Sequence, residues 1–354
     1  MSLENVQEEA FAERRSAECC APMHEEATGA QRQKVVAFKF GGSSLLGTDR
    51  MLHAAGLVRA ATRTSSVTVV VSAMKGVTDR LLSVADALAQ GKLAHARRIA
   101  EAILDLHLDV LHELQIEENE AVRVRRELQL LGRDLLHEVP LHSSVATGAE
   151  LFDRLASFGE RFCARLFAVA LKKLGVACVP VASSEFVLTC DTFRDAQPYL
   201  DLTRRRGREI LLPLLEASIV PVVTGFIGAT PDGRITTLGR NSSDFSGAIV
   251  AHIVDADELV IWTDVDGIFT ANPKESAEAR LLHELSYAEA HALAASGAKV
   301  LHAKVLPLAA ETAMVVWVRN TFNLQARGTR IAPPHVSQVP VPVFLKTSQQ
   351  GGAE

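Results

Sequence analysis

The chain has 354 residues, of which 48 % are hydrophobic and 22 % charged, and its formal net charge is −5. This composition is typical of a globular protein and excludes a disordered, collagen-like or fibrous chain. The acidic balance and the lack of an apolar run of the roughly 20 residues that span a membrane lead us to expect no nucleic-acid partner and no membrane partner.

Residues 1–33 are predicted to form a flexible acidic tail rather than a targeting signal. Seven glutamates against three arginines give this segment −4 of the net charge, and its apolar residues show no periodicity. Its first residues are too acidic for a signal or transit peptide. The five cysteines are an odd number with neither a Cys-x-x-Cys pair nor zinc spacing. We therefore expect a cytoplasmic protein.

From Lys34 onward, predicted strands alternate with predicted helices. VVAFKF, directly after Lys34, is typical of a buried strand, and VTVVVSAM (67–74) is a continuous β-branched run, which is typical of a strand buried on both faces. Further strands are predicted over 177–182, 219–224, 258–262 and in a run that ends near Asn320. Helices are predicted over 48–62, in a helical insertion at 80–140, and over 147–174, 199–217, 243–254, 286–295 and 303–312. This alternation predicts an α/β fold with a parallel sheet.

A β-hairpin is predicted within GFIGATPDGRITTLGRNSSD (225–244), because Pro231-Asp232-Gly233 at its centre is strong turn chemistry. Residues 333–354 are rich in Pro, Ser, Gln and Gly, and we expect them to form a C-terminal tail.

Polar, glycine-rich segments follow buried strands or precede helices at several points in the chain. They are KFGGSS (39–44), SAMKGVT (72–78), TGFIG (224–228), LGRNSSD (238–244) and TDVDGIFT (263–270). Ligands of open α/β sheets bind beyond the carboxyl ends of the strands. Glycine amides and helix N-termini suit anions, so we predict a phosphorylated ligand. The absence of a Walker A motif and of a GxGxxG motif after a strand argues against a P-loop NTPase and a Rossmann dehydrogenase.

Eight motifs in this order resemble the aspartokinase branch of the amino acid kinase family, over about residues 34–330. They are KFGGSS, VVSAMKGVTD, GE at 159–160, GFIG, TTLGRNSSD, WTDVDGIFTANP, GAKVLH and VRNTFN. The resemblance implies a three-layer αβα fold with a mostly parallel sheet between helices. It implies a catalytic domain over 34–332, with an amino-acid lobe at about 34–225 and a nucleotide lobe at about 226–332.

The activity implied by the resemblance is phosphorylation of L-aspartate by ATP with Mg²⁺, which yields 4-phospho-L-aspartate and ADP. This reaction is the first step of the aspartate pathway to lysine, threonine and methionine. Phosphoryl transfer needs positioning and charge neutralisation more than covalent help, and a carboxylate is already a competent nucleophile at pH 7.

Three residues are implied as catalytic: Lys39, Asp244 and Lys299. Lys39 would stabilise charge on the transferring phosphoryl group, and Lys299 would lie near the nucleotide phosphates. Asp244 would organise both lysines without acting as a base. Gly41 and Gly42 would offer backbone N–H donors to the phosphoryl group, with Ser43 beside them.

For the amino-acid substrate, the resemblance implies that Arg240 binds the α-carboxylate and that Glu160 binds the ammonium group. A guanidinium suits the first role because it donates two parallel hydrogen bonds. The residues at the remaining substrate-pocket positions of the family are Ser72, Thr78, Phe226 and Ser243. Without the resemblance, Ser243-Asp244 predicts the N-cap of the helix over 243–254.

For the nucleotide, the resemblance places Thr263, Asp264 and the Asp266-Gly267 turn under the adenine and ribose, with Phe269 and Lys274 beyond them. The two aspartates of this segment lack the oxygen spacing of an EF-hand, so we predict no protein metal site.

Some positions depart from the family pattern. Asn241 and Ser242 replace two glycines, while Phe269 and Lys274 replace Tyr and Arg. Few residues follow Arg330, so we expect no ACT domain, and we expect a homodimer formed through the catalytic region. Two alternatives stay open: a kinase for an aspartate analogue in specialised metabolism, and a catalytically weak regulatory subunit.

Overall fold

The computed structural model describes residues 33–141, 148–240, 242–271, 276, 278–295 and 301–333. The strands are β1 (Val35–Phe40), β2 (Ser66–Val71), β3 (Cys178–Val181), β4 (Val220–Thr224), β5 (Ile227–Ala229), β6 (Ile235–Thr237), β7 (Glu258–Thr263), β8 (Ile268–Phe269), β9 (Leu281–Leu282), β10 (Glu284–Ser286), β11 (Val315–Asn320) and β12 (Thr329–Ala332).

The helices alternate with these strands, as the sequence predicts. They are α1 (Gly47–Ala61), α2 (Val77–Ala89), α3 (Leu93–Glu113), α4 (Glu118–Leu141), α5 (Ala149–Lys173), α6 (Leu200–Glu216), α7 (Ser243–Ile253), α8 (Tyr287–Ala295) and α9 (Val305–Glu311). The predicted helical insertion corresponds to most of α2 together with α3 and α4. Among the described residues, no helix combines the length and the apolar character needed to cross a bilayer.

The central sheet has eight strands in the order β10-β12-β11-β7-β1-β2-β4-β3. Six neighbouring strands, from β11 to β3, run parallel to one another. β12 pairs antiparallel with β11, and β10 pairs parallel with β12. The prediction of a mostly parallel sheet is therefore confirmed.

Side chains of β1 alternate between two hydrophobic cores, one on each face of the sheet. Phe40 packs in the core formed with α1 to α5, where its ring centroid lies 5.4 Å from that of Phe167. Ala37 belongs to the second core, which contains Phe245 of α7 and Leu306 of α9. Because alternate side chains of a strand face opposite sides, Lys39 shares the face of Ala37 and points toward α7. The three-layer αβα prediction is confirmed.

The predicted hairpin is present as β5 and β6, which pair antiparallel with Ile227 opposite Thr237. Four short strands were not predicted: β8, β9, β10 and β12. β2 ends at Val71, earlier than the predicted run to residue 74, because the chain turns into the loop that precedes α2. The division into two lobes stays a prediction.

Two helical glycines provide a matched test of the packing between α5 and the loop after β2. A Cβ added at Gly159 of α5 would lie 2.6 Å from Cβ of Ala73, whereas one at Gly56 of α1 would meet nothing within 4 Å. We expect Gly159→Ala to lower the free energy of unfolding by about 1–3 kcal/mol through overpacking. We expect Gly56→Ala to raise it by about 0.5–1 kcal/mol through helix propensity. Urea denaturation measures both changes, and equal stabilisation by the two variants would contradict the close contact.

Candidate active site

The carboxyl ends of the central strands bring four loops together at one edge of the sheet. β1 lies between β2 and β7. The N–H of Gly41, after β1, donates to the carbonyl oxygen of Trp262 in β7 at 3.1 Å. The N–H of Ser72, after β2, donates to the carbonyl oxygen of Phe40 at 3.1 Å, and that of Gly225, after β4, donates to Val71 at 2.8 Å. The polar segments of the sequence therefore meet where open α/β sheets bind ligands.

A cleft of about 290 Å³ opens at this edge. Its lining contains all six residues that the sequence predicts to bind the amino acid: Ser72, Thr78, Glu160, Phe226, Arg240 and Ser243. It also contains residues without a predicted role: Ala73, Met74, Lys75, Gly76, Asp79, Leu82 and Phe152. Lys75 and Asp79 lie within the motif VVSAMKGVTD, so the sequence could have indicated that they line the cleft. Phe152 carried no such signal.

Glu160 of α5 brings an unsatisfied carboxylate oxygen to the cleft. Its Oε1 accepts a hydrogen bond from the N–H of Ala73 at 3.1 Å. Its Oε2 is buried and has no hydrogen-bond partner among the described residues. Burial raises the pKa of this carboxyl from its ordinary 4.5 to about 8, against lesser opposing effects that include the N–H of Ala73 and the charge of Lys39. A cation that entered the cleft would satisfy Oε2 and favour the ionised form.

Arg240 supplies a positive charge to the same cleft. The residue is exposed and has no ion-pair partner among the residues that the structure describes. A free guanidinium is suited to bidentate binding of a carboxylate. The cleft therefore offers a carboxyl group at Glu160, which a bound ammonium group would ionise, and a cation at Arg240. Together they complement a free amino acid.

Lys39 and Asp244 form an ion pair beside the cleft, with 2.8 Å between Nζ and Oδ1. Their side chains are 10 % and 16 % exposed. The side chain of Lys39 reaches Asp244 because β1 packs closely against α7. A Cβ added at Gly247 of α7 would lie 3.1 Å from Cβ of Lys39. The resemblance implies this pairing, and the structure contains it.

The start of α7 differs from the prediction. The helix begins at Ser243, the preceding residue is Ser242, and no side chain makes a capping hydrogen bond. The predicted N-cap at Ser243-Asp244 is wrong because both residues lie in the first turn, where the Asp244 carboxylate pairs with Lys39 instead. Ser242 is fully buried and its Oγ has no hydrogen-bond partner among the described residues. Asn241 lies outside the described residues.

The glycine turn after β1 packs against the loop after β2. A Cβ added at Gly42 would lie 2.6 Å from the carbonyl oxygen of Ala73, so only glycine fits there without backbone movement. A Cβ added at Gly41 would make ordinary contacts, 3.6 Å from the carbonyl oxygen of Trp262 and 3.7 Å from Nζ of Lys39. Ser43 follows and is half-buried. The turn therefore lies directly beside the Lys39 ammonium group.

The predicted nucleotide residues follow β7. Thr263 is half-buried and Asp264 is exposed, and Oγ1 of Thr263 donates to Oδ1 of Asp264 at 3.4 Å. Oδ1 of Asp266 accepts hydrogen bonds from Nδ2 of Asn320 at 2.7 Å and of Asn323 at 3.0 Å. Asp266 thus ties this turn to the end of β11.

The remaining residues predicted to bind the nucleotide are Phe269, Lys274 and Lys299. Phe269 lies half-buried in β8. Lys274 and Lys299 lie outside the described residues. Within the described part of the chain, no cluster of three or more His, Cys, Asp or Glu side chains is arranged to hold a metal ion. Mg²⁺ that accompanies a nucleotide takes most of its ligands from phosphates and water, so it does not require such a cluster.

Comparison with known proteins gives the same family throughout. The model of the amino acid kinase family matches residues 34–320. Lysine-sensitive aspartokinase 3 of Escherichia coli is 32 % identical over 298 residues, which cover 84 % of this chain and 64 % of that protein. Chloroplastic aspartokinase 1 of Arabidopsis thaliana is 31 % identical, with 83 % of this chain and 51 % of that protein covered.

A solved structure supports the comparison at the level of the fold. The crystal structure of E. coli aspartokinase III in complex with aspartate and ADP (R-state) matches with a TM-score of 0.78 at 30 % identity. The match covers 85 % of this chain and 65 % of that chain. This chain therefore spans about half to just under two thirds of the length of these relatives. The resemblance drawn from the motifs is confirmed.

The raised pKa of Glu160 makes the stability of the free protein depend on pH. Between 4.5 and about 8 the folded protein holds a proton that the unfolded chain has released, so stability falls as pH rises through this window. Glu160→Gln removes this pH-dependent loss of stability, because glutamine does not titrate. We expect the variant to gain stability relative to the wild type by up to about 1.4 kcal/mol per pH unit.

Urea denaturation at several pH values within this window measures the difference. Glu101→Gln, an equivalent change on the exposed surface of α3, is the control and should track the wild type. Parallel profiles for wild type and Glu160→Gln would contradict a buried, protonated Glu160.

Proposed function

We propose, since this chain belongs to the amino acid kinase family, that it transfers the γ-phosphoryl group of ATP to the side-chain carboxylate of L-aspartate. The products are 4-phospho-L-aspartate and ADP. The observation that carries the proposal is a cleft in which, among the described residues, Oε2 of Glu160 has no hydrogen-bond partner and Arg240 has no ion-pair partner, next to the ion pair of Lys39 and Asp244. The related E. coli aspartokinase III, crystallised with aspartate and ADP, supports it.

The cleft accounts for recognition of an amino acid by its two charged ends. The substrate ammonium group donates to Oε2 of Glu160, which has no other partner among the described residues. The α-carboxylate accepts paired hydrogen bonds from Arg240. Hydroxyl groups of Ser72, Thr78 and Ser243 line the remainder of the cleft with the ring of Phe226, and they orient the side-chain carboxylate.

Phosphoryl transfer follows from the position of Lys39. The aspartate side-chain oxygen attacks the γ-phosphorus, and the bond from that phosphorus to the β,γ-bridging oxygen breaks, which leaves ADP. The ammonium group of Lys39 and the N–H of Gly42 neutralise charge that develops on the transferring group, whereas the N–H of Gly41 is already bonded to the carbonyl oxygen of Trp262. Asp244 holds Lys39 in place, and no general base is required because the nucleophile is already ionised.

The nucleotide is proposed to lie over the carboxyl end of β7. Thr263, Asp264 and Phe269 lie under the adenine and ribose, and Gly41, Gly42 and Ser43 approach the phosphates. Lys274 and Lys299 are assigned to the nucleotide by the resemblance alone. Mg²⁺ carried by the ATP phosphates supplies further charge neutralisation. The homodimer, the cytoplasmic location and the place in the pathway to lysine, threonine and methionine are proposed on the same resemblance.

Lys39→Ala is expected to lower kcat by roughly 100-fold or more, because it removes the cation beside the transferring phosphoryl group. A coupled assay of ADP release measures the loss, and circular dichroism checks the fold. Lys92→Ala, which removes a lysine from the exposed surface, is the matched control and should keep wild-type activity. Near-normal turnover in a folded Lys39→Ala variant would refute the assigned role.

The same assay with a panel of acids identifies the substrate. We expect turnover of L-aspartate and none of glutamate or N-acetylglutamate. Turnover restricted to an aspartate analogue would indicate a kinase of specialised metabolism. A folded protein that turns over none of these acids would indicate a regulatory subunit.

A further inference from the structure

Asp153 of α5 is a fully buried carboxylate whose three hydrogen bonds all lead away from its own helix. Its Oδ2 accepts from the N–H of Thr237 at 2.8 Å and from the N–H of Arg194 at 2.9 Å. Its Oδ1 accepts from the hydroxyl of Thr237 at 2.7 Å. Burial raises the pKa of this carboxyl, against the effect of these donors, which favour the ionised form.

Two of the three hydrogen bonds to Asp153 come from Thr237 at the end of β6, three residues before Arg240. Thr237 is fixed on both sides, because its carbonyl oxygen also accepts from the N–H of Ala196 at 2.9 Å. The next N–H, that of Leu238, donates to the carbonyl oxygen of Phe226 in the cleft at 2.9 Å. The chain that leads to Arg240 is therefore anchored at consecutive residues, and the first anchor is the carboxylate of Asp153.

The hydrogen bond from Arg194 to Asp153 holds a second segment beside the cleft, the loop around Arg194. Arg194 has φ +72°, a left-handed conformation that a non-glycine residue adopts at a cost. Its N–H is held by Asp153, and its guanidinium lies 4.1 Å from the ring centroid of Phe152, which lines the cleft. Asp195 follows, and its Oδ1 lies 2.9 Å from the position that a Cβ on Gly239 would take. The loop around Arg194 is thus packed against the residue that precedes Arg240.

Asp153 and Glu160 lie seven residues apart on α5, which is nearly two turns, or about 10 Å along the axis. The same helix therefore carries Glu160, whose carboxyl group lies in the cleft, and Asp153, which holds the segment that leads to Arg240. We propose that Asp153 is a positioning residue that sets the distance between Glu160 and Arg240, so that it matches the fixed separation of the ammonium group and α-carboxylate of a free amino acid. The inference rests on the proposed function for its substrate.

A carboxylate suits this position better than an amide because all three partners donate to it. Asparagine can still accept hydrogen bonds from the N–H groups of Thr237 and Arg194 through its single side-chain oxygen. Its NH₂ group can donate to the Thr237 hydroxyl, which then acts as the acceptor. Asp153→Asn should therefore retain most of the anchoring, whereas Asp153→Ala removes all of it.

The test is a double-mutant cycle of Asp153→Ala with Arg240→Ala, read by steady-state kinetics. We expect Asp153→Ala to raise KM for aspartate about 10-fold or more and to leave KM for ATP within about twofold. Asp153→Asn should recover most of the loss. In the Arg240→Ala background, Asp153→Ala should raise KM for aspartate by less than about twofold, because the residue that it positions is already gone.

Thr203→Val provides the matched control. Thr203 of α6 is also buried, and its hydroxyl accepts from the N–H of Leu188 at 3.1 Å, but it does not line the cleft. This variant should lose stability and keep the wild-type KM for aspartate. Independent, multiplying effects of Asp153→Ala and Arg240→Ala, or an equal rise of both KM values in Asp153→Ala, would overturn the positioning role.

Failure of the proposed function gives a different result. If the wild-type protein does not turn over aspartate, the substrate assignment is wrong. Amide hydrogen exchange then tests separately whether Asp153 anchors the segment that leads to Arg240. Exchange at Thr237 and Leu238 should be faster in Asp153→Ala than in Thr203→Val. Equal exchange in the two variants would overturn the anchoring of the loop.

Discussion

The ion pair of Lys39 and Asp244 is the interaction on which the arrangement of the site depends. An ammonium group at the end of a central strand loses most of its hydration, and a nearby carboxylate offsets that cost. The pair joins β1 to the first turn of α7, and Gly247 permits the close approach of the two elements. It thereby holds a cation beside the glycine turn, where a Cβ added at Gly41 would lie 3.7 Å from Nζ of Lys39.

The amino-acid side of the cleft depends on a second constraint, the rigidity of α5. This helix presses on the loop after β2 at Gly159, so the N–H of Ala73 reaches the carboxylate of Glu160. The same helix reaches the hairpin through Asp153. Parallel strands supply the loops, and in our proposal α5, through Asp153, sets the distance between Glu160 and Arg240. The proposed recognition of a zwitterion is in this sense a property of the scaffold.

Much of this arrangement was predictable from the sequence, and the reasons differ among residues. β1 and β2 are rich in β-branched and aromatic residues, which favour strands buried on both faces. The hairpin follows from its Pro-Asp-Gly turn. Glu160 and Arg240 were assigned through motifs, and the structure places both in one cleft. That assignment needed no long-range information beyond the order of the motifs.

Other features depend on contacts that no local pattern encodes. Asp153 and Thr237 are 84 residues apart, so neither residue alone indicates their bond. The short strands β8, β9, β10 and β12 exist because neighbours pair with them, not because of a long apolar run. Ser243-Asp244 has the composition of an N-cap, yet the nearby Lys39 takes the carboxylate. Tertiary contacts override local preference in each case.

The central claim is that a free amino acid is held by its charged ends beside the phosphate-binding turn. A crystal structure of the protein with L-aspartate and a non-hydrolysable ATP analogue tests it most directly. We expect the substrate nitrogen within hydrogen-bonding distance of Oε2 of Glu160 and the terminal phosphate next to Nζ of Lys39. An amino acid bound elsewhere or in the reverse orientation, or a triphosphate remote from the Gly41 turn, would contradict it.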